Sequence, residues 1–251
     1  MDPAHLALVG AAAAAGGAVN AIAGGGSLIT FPALLACGVP ALLASATNTV
    51  AMCPGYLGAT WAQRAELAGQ GTRALKIVPA CALGGAVGAV LLLRTGAATF
   101  DVVVPFLLLF AVLLLGFQER IRARLHAVTN NEAFAAPITA LASIYGGYFG
   151  AGLGVIVLAA LAIVIGDSLV RLNALKQLIS LAVNVTAAVV FLIIADLDAA
   201  TVGVMAVASL VGGLIGGAIA ARVSAKLLRL FVVTIGSAVA LVYFVKLFRQ
   251  F

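Results

Sequence analysis

An all-α polytopic membrane protein is the fold class this sequence predicts, and three observations predict it. Of 251 residues, 64% are hydrophobic and only 9% charged, against roughly a quarter charged in an ordinary soluble domain. The apolar residues fall into long runs, and two of these, of about 30 residues, are too long for a single crossing, which needs about 20. The 28 glycines suit close packing of helices in lipid. Together these exclude a secreted disulfide scaffold, a nucleic-acid binder and a disordered chain. The formal charge of +6 sits in short clusters between apolar runs, as it does in loops facing anionic lipid. One membrane domain over 1–251 is expected, with the bilayer and not nucleic acid as its surroundings.

In chain order the apolar segments run over about 6–37, 42–62, 74–93, 102–117, 136–166, 172–195, 199–221 and 230–248. No Lys or Arg precedes the first, so a signal peptide's positive leader is missing. The first and fifth segments are the long ones, and both are interrupted by glycines, in "AIAGGGSLITFP" and "YGGYFGAGLG". Glycine runs break helices. Irregular backbone at membrane depth survives only when buried in protein or lining a cavity.

These segments belong to an internal repeat. At an offset of 126, Gly24 falls on Gly150, Gly26 on Gly152 and Thr47 on Asn173. At 128, "GGAVG" from Gly84 falls on "GGLIG" from Gly212, and Arg94 on Arg222. Two repeats follow, 1–117 and 133–251, joined by a charged linker over 118–132. The distribution of basic residues then sets the topology. Eight single crossings would divide the 14 Lys and Arg residues 8 to 6. If segments one and five are instead returning hairpins, one side holds all but Arg94, Lys246 and Arg249, a split of 11 to 3. Each repeat is therefore expected to be a broken, re-entrant helical hairpin followed by three transmembrane helices. Three crossings per repeat invert the second against the first and leave both termini external. Inverted repeats with broken helices mark secondary transporters, whose substrate sits between the repeats.

At the breaks, "AGGGSLITFPALLACGVPALLASATNTVAMCPG" and "YGGYFGAGLGVIVLAALAIVIGDSLVRLNALKQLISLAVN" resemble the first- and second-half signatures of the TauE/SafE sulfite exporter family. The resemblance covers nearly the whole chain. It implies a multi-pass permease of a prokaryotic cell membrane that moves a sulfur-containing anion such as sulfite or a sulfonate.

The candidate substrate-binding residues follow from the breaks and the helices after them. Gly24, Gly25, Gly26, Gly150, Gly152 and Gly154 free backbone N–H groups at half-helix ends, which favour anions. Asn20 and Ser27 add an amide and a hydroxyl. Thr47 and Asn48 stand in the next segment of the first repeat. Asn173, Lys176, Gln177, Ser180 and Asn184, at i, i+3, i+4, i+7 and i+11, form a polar stripe on one helix face. Lys176 has two readings. Five residues past Arg171, it either snorkels to the headgroups or raises the potential of the site from the cytoplasmic side.

An enzyme is not expected. Neither His5 nor His126 lies in an apolar segment, so Ser27 has no base. No metal-ligand spacing or cofactor motif occurs, and Cys37, Cys53 and Cys81 lack disulfide spacing. No carboxylate lies deep in a segment. Coupling is then absent, or uses sodium, a proton on the anion, or Cys53. The rival reading is a scaffold or assembly subunit that associates, as a homodimer for example, through the glycine faces at Gly84–Gly88 and Gly212–Gly217. A channel-like conductor is the third.

Overall fold

The computed structural model describes residues 1–125, 132–220, 222–223 and 225–248. His126 and the rest of the expected linker over 126–131 lie outside the described residues, as do Arg249 and the side chains of Arg122, Arg124, Lys226 and Lys246.

Ten α-helices are described. In the first half they are α1 (Pro3–Ile22), α2 (Ser27–Ala36), α3 (Ala41–Ala62), α4 (Gly71–Thr95) and α5 (Ala97–Leu125). In the second half they are α6 (Ala135–Tyr148), α7 (Leu153–Val164), α8 (Leu169–Ile194), α9 (Ala199–Ile219) and α10 (Ala225–Phe248). Six of them, α1, α4, α5, α8, α9 and α10, contain stretches long and apolar enough to cross a membrane. Local chemistry sets several starts. Asp2 caps α1 through the His5 N–H, with Pro3 in the first turn, and Ser168 and Asp198 cap α8 and α9.

Both long segments fold back at their glycines. Gly24 (φ 71°) and Gly25 (φ 122°) take left-handed backbone, which other residues rarely adopt. Past them α2 returns along α1, so that Thr30 packs on Gly16 and Cys37 lies beside the His5 carbonyl. Gly150 (φ 77°) and Gly152 (φ 81°) turn the fifth segment in the same way. The two arms of each hairpin are unequal. The 20 residues of α1 exceed the 14 of α6, and α2 and α7 have 10 and 12.

Contacts recur in exchanged pairs. Gly84 and Gly88 of α4 lie on α6 at Ala140 and Ile144, while Gly212 and Gly216 of α9 lie on α1 at Ala14 and Ala18. Gly85 meets Val183 of α8, and Gly213 meets Gly55 of α3. A Cβ at any of these glycines would press into the facing backbone. In each pair the numbers rise together, so α9 runs in the direction of α1 and α3, and α4 in that of α6. The Gln70–Arg171 and Thr186–Ala82 hydrogen bonds likewise align α4 with α8.

One expectation is corrected by this packing. The glycine faces proposed for association are used inside the chain, where they bring backbones together. The contacts Gly85–Val183 and Gly213–Gly55 differ by 128 in numbering on both sides. Helix α5 continues past residue 117 to Leu125.

Candidate functional site

The two breaks meet. A Cβ on Gly24 would sit 3.1–3.2 Å from the Gly154 backbone, and one on Gly154 would sit 3.5 Å from Lys176 Cδ. Only glycine on both sides lets the two chains approach so closely.

At the first break α1 ends inside the protein, where its last carbonyls lack helical partners and water is not available to replace them. Side chains from elsewhere in the chain take that role. Lys176 Nζ donates to the Asn20 carbonyl at 3.1 Å, and Gln177 Nε2 donates to the Asn20 and Ala21 carbonyls at 3.0 and 2.9 Å. Asn173 Nδ2 donates to Ala21 O at 3.1 Å and to Gln63 Oε1 at 2.8 Å. Gln63 Nε2 reaches Ala21 O at 3.3 Å, and Gln118 Nε2 reaches Ala23 O at 3.5 Å. The polar stripe of α8 is thus directed at the C-terminal end of α1. Lys176 and Gln177 are fully buried, so Lys176 does not snorkel.

The start of α2 is capped from within. Asn20 Oδ1 accepts the Gly25 and Gly26 N–H groups at 3.0 and 2.6 Å. Asn48 donates to Ser27 Oγ at 3.2 Å and shares a short hydrogen bond with Thr30. The start of α7 has no such cap. Gly152 is its N-cap residue and no side chain bonds there. The Gly150 N–H goes back to Tyr145 O.

Of the predicted residues, Asn20, Gly24, Gly25, Gly26, Ser27, Asn48, Gly152, Gly154, Asn173, Lys176 and Gln177 gather around the two breaks. Thr47 is buried on α3 but makes none of these hydrogen bonds. Asn184 at the end of the stripe bonds its own helix at Ser180 O. Gln63, Gln118 and Thr30 were not singled out from sequence. Gln63 and Gln118 fall just past the ends of apolar segments and read there as loop residues. Thr30 sits in an otherwise apolar run.

A cleft of about 300 Å³ reaches this region, lined by Ile22, Ala23, Gln63, Gln118, Asn173 and Arg229 among others. Arg229 pairs with Glu119 at 2.6 Å at its edge. The same end of the molecule carries a charged cluster. Arg73 bonds Asp167 at 2.7 Å and Glu132, and Arg171 bonds Asp167 at 3.0 Å and the Ala68 carbonyl. Burial raises the Asp167 pKa, but hydrogen bonds from Arg73, the Ser168 N–H and Arg171 outweigh it and hold the carboxyl below its ordinary range.

At numbering offsets of 126 from Ala23 and 128 from Gln63 stand Phe149 and Phe191, both buried. Phe149 stacks edge-on with Phe31 at 5.3 Å and lies 6.3 Å from Phe100, which meets Tyr148 at 5.8 Å. Where the first half helps line a cleft, the second half places aromatic rings.

The profile of the Sulfite exporter TauE/SafE family matches residues 8–243 of the chain. A probable membrane transporter protein of Haemophilus influenzae is 30% identical over 181 residues, covering 70% of this chain and 69% of that protein. The probable membrane transporter protein YfcA of Escherichia coli K12 is 27% identical over 231 residues, covering 89% and 84%. No solved structure matches the chain.

Proposed function

The chain belongs to the sulfite exporter TauE/SafE family of multi-pass membrane transporters, and from that premise we propose that it is a secondary permease for a sulfur-containing anion, sulfite or a sulfonate. The anion binds between two inverted repeats, 1–117 and 133–251, and crosses by alternating access. The observation that carries this reading is the meeting of Gly24 and Gly154, next to a cleft that reaches Ala23 and carries Gln63, Gln118, Asn173 and Arg229 in its lining. Two broken helices that meet at depth supply polar backbone where a continuous helix supplies none.

The exchanged contacts support the inverted arrangement. Helix α9 runs with α1 and α3, and α4 runs with α6 and α8, although only a short turn joins α3 to α4. A two-fold axis in the membrane plane produces that crossed pairing. Cleft and aromatic cluster stand at equivalent places in the two halves, which supports a state open toward the basic, cytoplasmic end and closed at the other. The rival scaffold has lost its proposed docking faces and has no use for a cleft ending on broken helices.

Uptake and efflux of sulfite, methanesulfonate and taurine by proteoliposomes test the function. Saturable flux of at least one is expected, and none above that of empty liposomes would overturn it. Cysteine labelling tests the orientation. Both termini should label from outside and residue 128 only from inside, and the reverse pattern would refute the topology.

A further inference from the structure

The geometry points to a single anion site at the second break, on the N-terminus of α7, with the first break a closed structural copy of it. This inference rests on the transport reading and names where in the site the ligand sits.

The repeat itself provides the comparison. Gly25 and Gly26 correspond to Ala151 and Gly152 at the offset of 126. In the first break both N–H groups end on Asn20 Oδ1. The residue corresponding to Asn20 is Gly146, which has no side chain. The Ala151 and Gly152 N–H groups accordingly find no acceptor among the described residues, and neither does that of Gly154. All three residues are buried. Buried N–H groups without acceptors are rare in folded proteins. A cluster of them at the start of a 12-residue helix is a preformed anion cradle.

A second, independent feature points to a ligand. Asn20 is only 4% exposed, and its Nδ2 has no hydrogen-bond partner among the described residues. Its Oδ1 is held by the Gly25 and Gly26 N–H groups, and the same residue's backbone carbonyl holds Lys176 Nζ. Lys176 Cε passes 3.7 Å from where a Gly154 Cβ would stand. Uncapped N–H groups, an orphaned amide and an ammonium are all donors. They suit a small anion with several oxygens on one centre, the –SO3 head shared by sulfite and sulfonates. At the first break Asn20 takes the Gly25 and Gly26 N–H groups, and among the described residues only the Ser27 N–H there is left without an acceptor.

The test uses full-length protein labelled with [15N]glycine, in detergent micelles, titrated separately with sulfite and with methanesulfonate. Amide resonances of Gly152 and Gly154, assigned by substitution, should shift with saturation while those of Gly25 and Gly26 stay within error. Shifts with sulfite alone identify the inorganic anion as ligand, and shifts with both identify the –SO3 head. Gly154→Ala, whose methyl faces Lys176, should weaken binding at least tenfold. Saturable binding that moves Gly25 and Gly26 instead, or that survives Gly154→Ala unchanged, overturns the second-break site and leaves the transport reading standing. Absence of binding by both anions together with absence of proteoliposome flux overturns both.

Discussion

Lys176 Nζ donates to the main-chain oxygen of Asn20 at 3.1 Å, so the one ammonium of the α8 stripe rests on the end of a helix 156 residues earlier in sequence. It completes the hydrogen bonding of that helix and supplies positive charge where the breaks cross. These two roles separate by substitution. Lys176→Gln keeps a donor and loses the charge, and Lys176→Met loses both. At an effective dielectric near 20, a unit charge about 4 Å away contributes about 4 kcal/mol, or about three decades of affinity as an upper bound. Both variants should therefore bind sulfite at least tenfold more weakly in a titration. Only Lys176→Met should also unfold at a lower temperature, because it strips a hydrogen bond from a buried carbonyl.

Asn20 divides in the same way. Asn20→Ala leaves the Gly25 and Gly26 N–H groups without an acceptor. An unmade bond at a buried group costs about 1–3 kcal/mol, so a drop in melting temperature is expected. Asn20→Asp keeps oxygen acceptors for both N–H groups and should hold most of the stability. It also replaces the unpartnered Nδ2 donor with a negative oxygen, so sulfite binding should be lost. Equal melting temperatures for Asn20→Ala and the wild type would deny the capping role.

The two breaks and the fold-back of each long segment were legible in the sequence, because glycine runs are local signals that survive without coordinates. The sequence did not predict what the polar stripe binds. Asn173, Lys176 and Gln177 carry donors, and donors in a sequence read as ligand-seeking. Their acceptors are main-chain carbonyls at the end of α1, and backbone groups leave no trace in residue identity. The depth of Lys176 was ambiguous for a similar reason. Its distance along the chain from Arg171 is fixed by sequence, while the burial of the start of α8 against the first break is a tertiary fact. Asn20 illustrates the opposite case. Its amide reads in the sequence as a ligand donor, and in the structure its oxygen also caps the start of α2.

If the halves are equivalent, matched glycines should cost the same to fill. A Cβ on Gly88 would run into the Ile144 carbonyl, and one on Gly216 would come within 2.5–2.7 Å of the Ala18 backbone. Overpacking of this kind costs about 1–3 kcal/mol. Gly88→Ala and Gly216→Ala should each lower the melting temperature, by amounts that agree within a few degrees. Gly203 has nothing within 4 Å of an added Cβ and lies in a helix, so Gly203→Ala should leave the temperature level or raise it.

The Asp167 cluster predicts a pH window. Its carboxylate joins Arg73 on α4 to Arg171 on α8, at the end of the molecule that carries the cleft. The folded carboxyl titrates below its ordinary value of 3.8. A lowered pKa stabilises the fold above the unfolded value, and the gain disappears as pH falls through the folded one. The cluster should therefore contribute equally from pH 8 to pH 5 and weaken only below about pH 4. Asp167→Asn imposes the acid state at every pH. The three side chains are 17–32% exposed, so solvent screening limits the effect to about 1 kcal/mol or less. The expected result is a melting temperature a few degrees lower from pH 8 to pH 5, with wild type and variant converging below pH 4. Thermal unfolding in detergent across this range checks it. A gap that stays constant down to pH 3 would show that Asp167 stabilises the fold by something other than its charge.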